Sequence, residues 1–103
     1  MRQYRVNITD EVKEQFKKYL RYVRFKLRNE QAYNSLKNDY METIKELKTS
    51  AGTIPIDDAP NLMKRNIRRI HFRKHRYVML YTIDKNVVYV VEIHHELEDY
   101  RDV

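Results

Sequence analysis

Tyr77-Val78-Met79-Leu80-Tyr81-Thr82-Ile83, then Asp84-Lys85-Asn86, then Val87-Val88-Tyr89-Val90-Val91-Glu92-Ile93 is the stretch that decides the fold. The first run is almost wholly apolar and rich in β-branched and aromatic residues. It predicts a central strand buried on both faces. The middle triplet predicts a tight turn, with Asn86 suited to the left-handed conformation. The second run predicts another strand, interrupted by Glu92. Just upstream, Ile67, Ile70 and Phe72 mark a third strand, so the last part of the chain reads as an antiparallel meander.

Working towards the N-terminus, Thr53 to Met63 holds both prolines and Asp57-Asp58 and predicts an irregular connection. Before it, Tyr33, Leu36, Tyr40, Ile44 and Leu47 recur at helical spacing, and Gly52 is placed to end that helix with a positive φ. An earlier helix is predicted from Val12, Phe16, Tyr19, Leu20, Val23 and Leu27, with Thr9-Asp10 as its N-cap and Asn29 as the break. Tyr4 to Ile8 alternates as a short strand. Each helix has one apolar stripe, so the pair must cover something, most simply a sheet. The expected fold is α+β in the order β-α-α-β-β-β, a helical hairpin packed on a small, twisted, mainly antiparallel sheet.

With 103 residues the chain predicts a single domain over 1–103, large enough for a core but small for a deep enzyme cavity. There is no cysteine, which excludes disulfides and thiolate metal sites and fits a cytoplasmic setting. No apolar run approaches the ~18 residues of a membrane span, and Met1 to Tyr4 lacks the apolar stretch of a signal peptide. No membrane partner is expected. One glycine and no HExxH-type spacing leave no phosphate loop and no metal site to predict, and no cofactor is expected.

Charge is the strongest chemical signal. The net charge is +6, and the seven Lys/Arg between Lys64 and Arg76 are interrupted by no acid: Lys64, Arg65, Arg68, Arg69, Arg73, Lys74 and Arg76. Such a block repels itself unless a polyanion offsets the repulsion, or unless it is a solvated edge strand kept from aggregating by its charge. His71 and His75 lie within it. Arg69, His71 and Arg73 alternate, so along one strand they would share a face. After the last strand come His94, His95, Glu96, Glu98, Asp99 and Tyr100, several of which can hold or move a proton. The nine tyrosines read as an amphipathic core stripe more readily than as a base-stacking platform.

This order of elements, with Arg68-Arg69-Ile70-His71-Phe72, Tyr77 to Asp84, Val87 to Ile93 and the closing His95-Glu96-x-x-Asp99-Tyr100, resembles the RelE/ParE superfamily of toxins from type II toxin–antitoxin pairs. The resemblance covers nearly the whole chain and is strongest from Ile67 onward. It implies a toxin that arrests growth, serves plasmid stabilisation, and is silenced by a cognate antitoxin protein. Two targets are implied. RelE-like members act as mRNA interferases, ribosome-dependent endoribonucleases; ParE-like members poison DNA gyrase. On the first reading the ribosome and mRNA are the partners. Arg69 and His71 fall where RelE has catalytic lysines, and His95 falls where a His-dependent relative has its catalytic histidine. His71 and His95 would then be a general acid/base pair, with Arg68, Arg69, Arg73 and Arg76 on phosphate, Tyr100 stacked on a base and Asp99 orienting His95. The Arg/His-rich strand favours this reading. Two positions depart from the RelE pattern: Val78 stands where Arg follows the tyrosine, and His94 to Leu97 lacks an Arg. ParE-like members share an apolar residue at Val78, and on that reading His95 and Asp99 are structural. An inactive binding module with the toxin fold is the third possibility.

Overall fold

The computed structural model describes residues 2–97. Its elements are β1 (Arg5–Ile8), α1 (Asp10–Arg21), α2 (Glu30–Ser50), α3 (Pro60–Lys64), β2 (Arg68–His71), β3 (Tyr77–Asp84) and β4 (Val87–His95). The strands form one sheet in the order β1-β4-β3-β2. The meander is antiparallel as expected, whereas β1 pairs with β4 in parallel, Val6 opposite Val88. The sheet is therefore mixed. No helix among the described residues is long and apolar enough to cross a membrane.

The hairpin of α1 and α2 covers one face. Val12, Phe16, Leu36 and Leu47 pack with Ile70, Phe72, Met79, Tyr81, Val88, Val90 and Ile93 in a single core. Within it Phe16 stacks on Tyr40, with ring centroids 3.8 Å apart, and Tyr19, Phe72 and Tyr77 continue the aromatic contacts. Tyr19, Tyr40 and Tyr77 thus serve packing. The central strand is buried on both faces because the connection after α2 is not wholly irregular. Pro60 starts α3, where its fixed φ and missing N–H are harmless. Leu62 from that turn closes over Ile67, Val78 and Leu80 on the reverse face.

The structure departs from the sequence expectation at several chain reversals. Lys85, not Asn86, takes the positive φ of the β3–β4 turn. Gly52 has no positive φ; it lies in a 3₁₀ turn, Ala51–Thr53, where a Cβ would collide with Tyr4 Oη. Thr9 is the N-cap of α1 without a side-chain cap bond; its amide is tied to Val90 O instead. Asn29 does cap α2, accepting from the Ala32 amide at 2.9 Å. Between the helices the chain makes a π turn, Tyr22–Lys26, in which Leu27 N bonds to Tyr22 O. The extra residue in that turn rotates Leu27 off the apolar stripe, and it is exposed.

One irregularity governs the placement of functional groups. Leu80 lies opposite Glu92 but Tyr81 lies opposite Val90, so β4 carries one extra residue at Val91. A bulge of this kind reverses the faces beyond it. Val88 and Val90 face the helices; past the bulge so do Ile93 and His95, while Glu92 and His94 turn to the reverse face.

Candidate functional site

Of the candidate residues, the reverse face gathers Arg69 and His71, with His94 and Arg65 beside them. Ile70 packs under the helices, so its neighbours Arg69 and His71 point the other way. His71 is paired in register with Val78, and Val78 with His94. Arg65, at the end of α3, reaches the same face.

These cations are met by acids. Arg69 Nε lies 2.8 Å from Asp57 Oδ2, and the Asp57 side chain is 3% exposed. Its other oxygen accepts from the Ala59 amide, so Asp57 closes the loop ahead of α3. Arg65 donates to Glu92 at 2.8 Å, and His94 Nε2 donates to the other Glu92 oxygen at 2.9 Å. Burial alone would raise the Glu92 carboxyl, but these bonds from His94 and Arg65 outweigh it and hold the group below the ordinary carboxylate value. His71 Nδ1 lies 2.7 Å from Glu96 Oε1, and Arg76 Nε lies 3.6 Å from Glu96 Oε2. The face is a lattice of alternating charge.

The remaining predicted cations also have internal roles. Arg68 donates to the carbonyls of Gly52 and Ile54 and ties β2 to the exit of α2. Arg73 does not share a face with Arg69 and His71. The strand ends at His71, Phe72 is buried, and Arg73 turns towards Glu46 of α2, 3.5 Å away. The cause is Asp39. This α2 carboxylate, 2% exposed at its side chain, accepts from the amides of Arg73 and Lys74 and from His75 Nδ1 at 2.8 Å. Burial opposes its ionisation, but the bonds from His75, Lys74 and Arg73 win and keep it below the usual range.

His95 stands apart from His71. It lies opposite Tyr77 in register, and its ring meets Tyr77 edge-on at 5.1 Å. Tyr77 belongs to the helix-covered core. The two histidines therefore sit on opposite faces of the sheet, and the expected pair does not assemble. Strict alternation from Val88 would have put His95 on the reverse face; the bulge at Val91 moved it. His95 Nδ1 accepts from the Leu97 amide at 3.1 Å, so in the neutral ring the proton is on Nε2. Asp99 and Tyr100 lie outside the described residues.

Val78, the departure from the RelE pattern, is fully buried beneath α3, with Leu62, Ile67 and Leu80. Sequence reasoning gave Asp39, Asp57 and Glu92 no site role, and named Glu96 only among the proton-holding groups near the end of the chain. Glu92 and Glu96 had a signal: with His94 they repeat at a period of two at the end of an apolar strand. Asp39 had a weaker one, a carboxylate on the edge of an apolar helix stripe.

The family model described as ParE toxin of type II toxin-antitoxin system, parDE, matches residues 6–100 of the chain. Neither the curated proteins nor the solved structures give a match.

Proposed function

The chain belongs to the ParE family of toxins from type II toxin–antitoxin systems, and from that premise we propose that it arrests growth by binding DNA gyrase rather than by cleaving mRNA. Its family pairs it with an antitoxin protein. The observation that carries the choice of target is the separation of His71 and His95 on opposite faces of the sheet. Cleavage by a ribose 2′-hydroxyl needs a base, an acid and cations around one phosphate. Two histidines on opposite faces of a sheet are badly placed to serve one phosphate. Arg69, the cation nearest His71 on β2, is committed to a buried carboxylate. The position where RelE-like chains carry Arg is a buried valine. A toxin that works by occupying a protein surface needs none of these groups.

The test has two arms run on one preparation. Purified protein is titrated into a supercoiling reaction with gyrase and relaxed plasmid, and into a defined translation reaction whose mRNA 5′ ends are mapped by primer extension. The expected result is lost supercoiling or trapped, cleaved plasmid, with intact mRNA. New mRNA ends within codons on translating ribosomes, with normal supercoiling, would return the chain to the RNase reading and make the histidines targets again.

A further inference from the structure

We infer that the tip of the helical hairpin, residues 22–28, is the surface that engages gyrase, and that it fits an acidic protein surface with an apolar recess. This rests on the gyrase reading above and names the part of the toxin that carries it.

The tip is built differently from the rest of the surface. Tyr22, Phe25 and Leu27 are 56%, 67% and 56% exposed, and they sit within six residues of one another. The other large apolar side chains exposed among the described residues, Met41, Ile56, Met63 and Leu97, are scattered along the chain. A local cluster of exposed apolar groups marks a contact surface far better than single ones do. The π turn creates the cluster. Had α1 continued with its own period, Leu27 would have joined the core stripe; the extra residue turns it outward while Val23 stays buried as the anchor. Arg28 then reverses the chain with φ of 50°, a conformation L side chains adopt at some cost.

Charge selects the partner. From Gln15 to Asn29 there are six cations, Lys17, Lys18, Arg21, Arg24, Lys26 and Arg28, and no acid. Arg24 lies over the rings of Phe25 and Tyr33, 5.9 and 5.1 Å from their centroids, so the cation and the aromatics are held together. Aromatic residues and Arg with few acids are the composition of interface hot spots. A nucleic acid would meet the cations and could stack a base on Phe25, but it offers no recess for Tyr22, Phe25 and Leu27 together. An acidic protein surface with a recess meets both. The basic run from Lys64 to Arg76 is the competing surface; there Arg65, Arg69, Arg73 and Arg76 face Glu92, Asp57, Glu46 and Glu96, while at the tip Lys17 and Arg24 face Glu14 and Glu30, and Lys18, Arg21, Lys26 and Arg28 make no ion pair among the described residues.

The experiment compares the toxin with two variants, Phe25→Ser/Leu27→Ser and Lys26→Glu, in gyrase supercoiling inhibition and in direct gyrase binding. Thermal unfolding of each is recorded alongside. Lys26→Glu alters only an exposed charge and keeps the test valid should the double variant unfold. The double variant is expected to need ~10-fold more protein for half-inhibition, in line with loss of a hot spot. Lys26→Glu should weaken inhibition at low salt and approach wild type at high salt. A wild-type protein that inhibits gyrase while both variants inhibit equally well would overturn the assignment of the tip and leave the gyrase reading standing. A wild-type protein without effect on gyrase would overturn the reading itself.

Discussion

Asp39 shows how one carboxylate organises a turn. Three donors from the β2–β3 connection converge on it, and its low pKa reflects those bonds winning over burial. Asp39→Ala should cost about 2–4 kcal/mol, because it removes three bonds to a charged group that hold the turn and leaves part-buried donors without it; chemical denaturation at neutral pH would measure it. The folded pKa of Asp39 lies below its unfolded value of about 4. Its stabilisation is therefore complete above that pH and is lost as pH falls through the folded pKa. The stability gap between wild type and Asp39→Asn should be constant near neutral pH and close below about pH 4; a gap that stays open into acid would contradict the role given to this charge. Gly52 is a second case, decided by space rather than by φ. Gly52→Ala drives a methyl into Tyr4 Oη and should destabilise by about 1–3 kcal/mol. Tyr4→Phe removes the clashing oxygen, so the double variant should lose less than the sum of the two single ones, as read from thermal melts.

At the level of elements, the short helix α3 and the bulge in β4 matter most. α3 has one turn and little intrinsic stability. It is held by Leu62, which is fully buried over Val78 and Leu80. Leu62→Ala should cost about 2–5 kcal/mol through the cavity it leaves and expose the reverse face of the sheet, detectable as a lower denaturation midpoint. The sequence held little sign of this helix, because a five-residue segment that follows Asp57-Asp58 and begins at Pro60 shows no period to read. The long helices and the meander were legible for the opposite reason. Tyr33, Leu36, Tyr40, Ile44 and Leu47 repeat over several turns, and all of them pack in the core or against it. The bulge was not legible. One extra residue in an all-apolar strand leaves the local composition unchanged while reversing the face of everything after it.

For the whole molecule, the consequence is that proton-moving groups are distributed over two faces instead of gathered at one site. His71→Ala and His95→Ala should each leave growth arrest intact when the toxin is expressed without its antitoxin. Loss of arrest in either variant, with an unchanged melting temperature, would tie that histidine to the activity. Sequence by itself determined the fold class, the helical hairpin, the meander and the toxin family, because these follow from periodicity and order, which are local and repeated along the chain. It also located every cation of the basic run. Tertiary structure alone decided what those cations do. Asp57, Glu92 and Glu96 are distant in sequence from most of the groups they neutralise, and their pairing depends on strand register and on a loop folding back over the sheet. The separation of His71 from His95 has the same origin: strand alternation transmits a one-residue bulge to every side chain beyond it.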